Sequence, residues 1–334
     1  MATVLVTGAT GRVGRVLVKQ LMDRKFAVRV LIRNREHAML LPKGVESVYG
    51  DIVGPNSSGI LENAVKDVEY VFHLAAVIDE RLSYTEMRRV NVEGTENLLT
   101  ACSKHGVGVK RFVHVSSISV YGRKTPCKVC SEKDETKPDT KYGRTKLEAE
   151  KVVEAFYETV PSVIIRPAVV YGKGFDEAYF QVLRMLEKGK MPIIGNGSNR
   201  IPFVHVNDVV QALLLACEKN NAVENAFNIC GAEQMTQKEI FAVACENLKV
   251  TTPTRSFPVL LVKVWAGAME VIDSLRGRKP RVTPEYIDII SRDRAFAIKK
   301  AREMLGYAPK VGLKEGIKEM VQYYKEGNYV AKKN

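Results

Sequence analysis

The apolar run Val4-Leu5-Val6 leads directly into Thr7-Gly8-Ala9-Thr10-Gly11-Arg12-Val13-Gly14, after which Val13, Val16, Leu17 and Leu21 recur at helical spacing. Few arrangements accept this order: a strand, a glycine turn, and a helix that starts inside the turn. Gly8 can take the positive φ that a tight turn needs. Gly11 leaves the backbone open to a phosphate, and Gly14 lets the helix pack close to the strand. The helix N-terminus then offers unpaired N–H groups to an anion. The glycine spacing departs by one residue from G-x-G-x-x-G. The strand before it and the helix after it make Gly8, Thr10, Gly11, Arg12 and Val13 a candidate dinucleotide-binding turn.

The alternation continues. Strands are expected near 27–32, 46–49, 69–74, 111–116 and 162–166, and helices near 12–24, 59–66, 83–105, 142–159 and 206–219. Short apolar strands separated by helices imply a parallel sheet covered on both faces, an α/β Rossmann-type doubly wound fold. After about residue 170 the chain becomes mostly helical. Thr236-Gln237-Lys238-Glu239 is a capping box, Thr283-Pro284 places a proline in a first helical turn, and further helices are expected near 258–275, 297–305 and 313–325. The expected division is a dinucleotide-binding domain over 1–172, with 201–229 returning to its sheet, and a smaller, mostly helical substrate-binding subdomain over 173–200 and 230–330. Within the latter, Ser256, Lys263, Gly267, Glu270 and Ser274 share one narrow helical stripe and leave a wide apolar surface. A core helix, a lid over an apolar substrate and a membrane-surface helix all fit that pattern.

The formal charge of +13 is spread along the chain and not gathered in a basic arm. It suits a solvated surface or a phosphorylated cofactor better than nucleic acid, and no nucleic-acid partner is expected. The N-terminus runs straight into a core strand, and the longest apolar stretch, 257–272, is broken by Lys263 and Glu270. Neither a secretory signal nor a membrane span is expected, and the location read from this is cytoplasmic. Of the six cysteines, most lie in apolar helix or strand patterns, as buried thiols of a reducing compartment do. Cys127 and Cys130 form a C-x-x-C pair without two further ligands in range, so no metal is expected.

Two segments carry chemistry. Tyr142 and Lys146 stand four apart at a helix start, on one face. A free tyrosine has a pKa of about 10 and is a poor acid–base group at neutral pH, but a neighbouring ammonium lowers that value. The strand Phe112-Val113-His114-Val115 ends in Ser116-Ser117-Ile118-Ser119. Ligands of open parallel sheets collect beyond such strand ends, where a hydroxyl can hold a carbonyl or alcohol oxygen.

With these pieces in place the chain resembles the extended short-chain dehydrogenase/reductase superfamily. The likeness rests on the glycine turn, Asp51-Ile52, His73-Leu74-Ala75-Ala76, Asn91-Val92-Glu93-Gly94-Thr95, the Ser116-Ser117 strand end, Tyr142 and Lys146. It continues through Arg166-Pro167-Ala168-Val169-Val170-Tyr171-Gly172, Val204-His205-Val206-Asn207-Asp208 and Leu305-Gly306-Tyr307-Ala308-Pro309. The C-terminal half looks most like the 3β-hydroxysteroid dehydrogenase and dihydroflavonol-reductase branch. The resemblance implies that Tyr142 is the general acid/base, that Lys146 holds the nicotinamide ribose and depresses the tyrosine pKa, and that Ser117 binds the reacting oxygen. It further implies that Asp51 and Ile52 flank the adenine, that Leu74, Ala75 and Ala76 line the pyrophosphate path, that Asn91 ties the cofactor site to the next helix, and that Pro167 lies near the nicotinamide.

The function expected from this is reversible carbonyl reduction on an apolar small molecule of sterol, terpenoid, flavonoid or long-chain keto type. A nucleotide-sugar epimerase or dehydratase is the alternative. Ala168 stands where those enzymes commonly carry asparagine, Ile118 where dehydratases carry an acid, and Arg200 is spaced differently from their diphosphate-binding arginine. A non-catalytic dinucleotide sensor or RNA-binding relative is a third reading, and the Ser117, Tyr142 and Lys146 set speaks against it. NAD sites usually end their second strand in an acid. Here that position is Arg33, which points to NADP(H), with NAD(H) possible. A homodimer through helices 83–105 and 142–159 is expected, and a peripheral membrane contact is open.

Overall fold

The computed structural model describes residues 2–105, 108–125, 128–277 and 283–327. Its strands are β1 (Thr3–Thr7), β2 (Ala27–Ile32), β3 (Glu46–Tyr49), β4 (Tyr70–His73), β5 (Arg111–Val115), β6 (Ser162–Pro167), β7 (Val169–Tyr171), β8 (Ile193–Ile194), β9 (Phe203–His205), β10 (Asn225–Ile229) and β11 (Ser256–Phe257). Its helices are α1 (Arg12–Asp23), α2 (Ser57–Val65), α3 (Tyr84–Arg88), α4 (Gly94–His105), α5 (Lys141–Ala155), α6 (Asp176–Glu187), α7 (Val206–Glu218), α8 (Gln237–Leu248), α9 (Val259–Leu275), α10 (Pro284–Ser291), α11 (Lys299–Leu305) and α12 (Leu313–Lys325).

Seven strands form one parallel sheet in the order β10-β6-β5-β4-β1-β2-β3. Strand side chains alternate between the two faces. Val4, Val6, Val28, Val30, Phe72 and Val113 face α1 and α7, while Leu5, Leu31, Val71, Phe112 and Ile164 face α2, α4 and α5. A third core, around Phe180, Leu183, Phe241, Leu248, Leu313 and Met320, joins α6, α8 and α12. The order reverses beside β1, where Thr7 aligns with Leu31 on one side and His73 on the other. That reversal opens a crevice at the carboxyl ends of the strands, as in other doubly wound sheets.

The six expected strands form. Of segment 201–229, α7 and β10 return to the main sheet, but Phe203–His205 pairs with Val169–Tyr171 in a separate two-stranded sheet. The reason is geometric: β10 already occupies the free edge of β6, so β9 finds its partner in the chain that continues beyond it. The expected helix 83–105 is broken by a π-helical turn at Arg89–Glu93, and 142–159 ends early, at Ala155. Helix α6 had no place among the expected elements, although Phe180, Leu183 and Leu186 repeat at i, i+3 and i+6. Cys102, Cys130, Cys217, Cys230 and Cys245 are buried free thiols. Cys127 lies outside the described residues, and the Cys127/Cys130 pair with it. Among the described residues no helix is long and apolar enough to cross a membrane.

Candidate active site

A cleft of about 240 Å³ lies at the sheet reversal. Gly8, Thr10, Gly11, Arg33, Asp51, Ile52, Leu74, Ala75 and Ala76 line it, as expected from sequence, and Thr7, His37, Gly50, Val77 and Val90 are among those that join them. Arg12, Val13, Asn91, Tyr142, Lys146 and Pro167 do not line it. The Arg12 guanidinium lies 5.4 Å from the Phe175 ring centroid, and Val13 packs against the core below. Gly8 has φ +69, and a Cβ there would sit 2.7 Å from the Leu74 carbonyl carbon and the Ala75 nitrogen. A Cβ at Gly14 would approach the Gly8 carbonyl oxygen to 2.3 Å. Gly11 is the N-cap of α1 and provides no side-chain cap. The first N–H groups of α1 therefore depend on an external acceptor, and the side-chain-free cradle suits the pyrophosphate of a dinucleotide. At the far end Arg33 stands 3.8 Å from Asp51 in an exposed ion pair.

A buried chain of hydrogen bonds braces the cleft. Thr95 Oγ1 donates to the Asn91 carbonyl (2.7 Å), which leaves it to accept from His73 Nε2 (2.9 Å). His73 Nδ1 then accepts from Thr7 Oγ1 (2.7 Å), and Thr7 Oγ1 accepts from the Ala75 N–H (3.3 Å). One ring nitrogen donates and the other accepts, so the chain requires a neutral imidazole. Burial, with Lys146 adding, lowers the His73 pKa to about 3. Asn91 sits in the π-helical turn, which is where such turns often carry functional side chains. Its Oδ1 accepts from Val77 N (2.8 Å), and its Nδ2 donates to Val77 O (2.9 Å) and Thr145 Oγ1 (3.0 Å). It thus ties the loop after β4 to α5 as a positioning residue.

The serine strand end and the Tyr-Lys helix meet. Ser117 caps a short 3₁₀ turn, accepting from Ser119 N at 3.1 Å. Thr140 caps α5 through Gly143 N at 3.0 Å and so fixes where Tyr142 and Lys146 emerge. The Ser117 hydroxyl favours the ionised form of the Tyr142 phenol, and the two segments pack so closely that a Cβ at Gly143 would lie 2.5 Å from the Ser119 carbonyl oxygen. Lys146 is buried, with Nζ 3.5 Å from His114 Nε2. One turn on, Glu150 holds Arg166 bidentately at 2.9 and 2.6 Å.

The electrostatics correct one expectation. Burial pushes the Tyr142 phenol up to about 12; the Ser117 hydroxyl opposes this and Glu80 adds to it. The resemblance implied a depressed phenol; desolvation dominates instead and raises it. Burial also brings Lys146 down to about 8, against the pull of Glu150. Tyr142 is therefore a protonated donor at neutral pH, beside an ammonium that titrates near it. His114, His73 and Thr95 stand in the quoted segments but were given no role from the sequence. The available signal was a histidine inside each of two apolar strands, β4 and β5. Arg200, the candidate diphosphate ligand, is engaged elsewhere: Nε and Nη2 bond Asp293 at 2.9 and 2.8 Å, and Nη2 also bonds the Lys128 carbonyl at 2.8 Å.

The model of the NAD dependent epimerase/dehydratase family matches residues 4–230. UDP-glucose 4-epimerase of Vibrio cholerae is 30% identical over 342 residues, which cover 98% of this chain and 96% of that protein. 2-Alkyl-3-oxoalkanoate reductase of Stenotrophomonas maltophilia is 27% identical over 330 residues, covering 95% and 98%. The solved structure of MoeE5 in complex with UDP-glucose and NAD matches with a TM-score of 0.75 at 27% identity, covering 98% of this chain and 100% of that one.

Proposed function

Because the chain belongs to the NAD dependent epimerase/dehydratase family, we propose that it is an NADP(H)-dependent oxidoreductase interconverting a carbonyl and a secondary alcohol on an apolar substrate. The observation that carries this reading is the close packing of the Ser117–Ser119 turn on the start of α5, which places Tyr142 beside it with Lys146 one helical turn away. A nicotinamide dinucleotide held by the Gly8–Gly11 turn, Asp51–Ile52 and Ala75–Ala76 supplies the two-electron chemistry at the carbonyl carbon. The protein manages the oxygen. The Ser117 hydroxyl holds it, and the protonated Tyr142 phenol gives it a proton as negative charge develops. The Lys146 ammonium, one helical turn on, would hold the nicotinamide ribose. In the alcohol-oxidising direction the phenolate left behind takes the proton back.

Arg33 favours a 2′-phosphate because it directly follows β2, where NAD-specific sites place an acid, and its guanidinium is mostly exposed. The name of the Stenotrophomonas relative, a reductase of 3-oxoalkanoates, supports an apolar keto substrate. Nucleotide-sugar epimerisation is the second reading, supported by the Vibrio relative and by MoeE5. The bidentate Arg200–Asp293 pair and Ala168 after Pro167 argue against it. The test is a screen of NADPH and NADH oxidation over keto-steroids, terpenoid ketones and 3-oxoacyl compounds, run beside UDP-sugar product analysis. Turnover of an apolar ketone with NADPH supports the proposal. Sugar epimerisation without net cofactor oxidation, and no ketone reduction, replaces it.

A further inference from the structure

Helix α9 turns part of its polar stripe to the protein: Lys263 Nζ bonds Asp288 at 2.9 Å and Gly267 lies against Pro284, with Asp273 buried on the same side, while Ser256 and Ser274 stay exposed. Val259, Val262 and Ala266 pack beside these on Ile194, Ile287 and Ile290. The opposite face is apolar and open to solvent. Leu260, Leu261, Val264, Trp265, Val271, Ile272 and Leu275 lie on it, and exposed Ala268 bridges the two halves at spacings of three and four residues. Leu260 is 71% exposed, Val264 65%, Trp265 52% and Leu275 84%. Single exposed apolar residues are ordinary, but a contiguous patch on one helix marks an interaction surface.

The surrounding charge selects the partner. Arg255 and Arg276 flank the helix as exposed residues, and Lys124 shares a cleft with Val259 and Leu260. No acidic side chain lies on the exposed stripe. An apolar face carrying a tryptophan and bordered by basic groups is the combination that seats a helix in the headgroup region of an acidic bilayer. At 17 residues α9 is too short to span, so it would lie in the plane of the interface.

We propose that the α9 face is a membrane-docking surface that binds anionic lipid bilayers. Trp265 is the only tryptophan in the chain, so its fluorescence reports this surface alone. The experiment mixes the purified protein with vesicles of phosphatidylcholine, with and without phosphatidylglycerol, and follows Trp265 emission and co-sedimentation. Emission is expected to shift to the blue, and protein to sediment, with the acidic vesicles, both effects weakening as salt is raised. Leu261→Gln, which removes one buried apolar side chain from the bound state, should lower partitioning by about tenfold or more. Arg276→Gln should lower it by about fivefold. Should Leu261→Gln melt earlier than the parent, Arg276→Gln and the salt series carry the test. Failure to bind acidic vesicles, or equal binding to neutral ones, overturns the proposal. So does a blue-shifted emission without lipid that Leu261→Gln abolishes together with a fall in mass by light scattering, because the occupant is then a second copy of the chain.

Discussion

Two glycine-to-alanine changes, both inside helices, should move stability in opposite directions. Alanine is favoured over glycine in a helix interior by about 1 kcal/mol, so propensity alone predicts that both stabilise. At Gly59 in α2 an added Cβ meets nothing within 4 Å, and Gly59→Ala should gain roughly 0.5–1 kcal/mol. At Gly14 in α1 the same atom would lie 2.3 Å from the Gly8 carbonyl oxygen and 2.8 Å from the Ala9 Cα and carbonyl oxygen. All of these are backbone atoms, so no rotamer change relieves the clash. The start of α1 would have to withdraw by about 1 Å, and overpacking of this kind costs about 1–3 kcal/mol or more. The net effect of Gly14→Ala is then a loss of up to about 2 kcal/mol after the propensity gain is subtracted. The withdrawal also moves the N–H groups of α1 away from the cleft, so affinity for a dinucleotide should fall. Urea melts of the two variants and calorimetric titration with NADPH and NADH measure both effects. If Gly14→Ala is as stable as Gly59→Ala and binds cofactor as tightly as the parent, the close-packing account of the turn is wrong.

Tyr142→Phe removes the proposed proton donor and keeps the ring, so turnover should drop by about 10²–10⁴-fold with cofactor binding nearly unchanged; retention of most of kcat would exclude the mechanism. Lys146, brought down to about 8 by burial, is charged below that pH and neutral above it. Carbonyl reduction should therefore decline as pH rises through about 8, and a pH profile flat to well above that point would contradict the role given to the ammonium. Arg33→Asp should shift preference from NADPH toward NADH, visible as a reversal of the kcat/KM ratio; an unmodified protein that already favours NADH would refute the assignment. We also propose a homodimer through the helical segments 83–105 and 142–159, which light scattering at micromolar concentration tests directly, a monomer mass being the contrary result.

Local rules reach a definite distance into this molecule. The glycine turn, the six strands of the first half and the capping box at Thr236 each depend on conformations and periodicities that neighbouring residues set among themselves. The grouping of Ser117, Tyr142 and Lys146 came from the family resemblance; the strand end alone marked only where a ligand would collect. Tertiary structure decided the rest. Whether Lys146 or burial governs the Tyr142 phenol depends on a low-dielectric surrounding that no i, i+4 spacing encodes. The inward turn of Asn91 needed a π-helical break in α3–α4, and its clamp on Thr145 joins positions 54 residues apart. Arg200 is withheld from the cleft by Asp293, a partner 93 residues away. For α9 the sequence showed that one face is polar and the other apolar, but an amphipathic pattern does not say which face meets the protein. The carboxylate of Asp288 on the neighbouring helix draws Lys263 inward, and that packing leaves the apolar face turned to the outside.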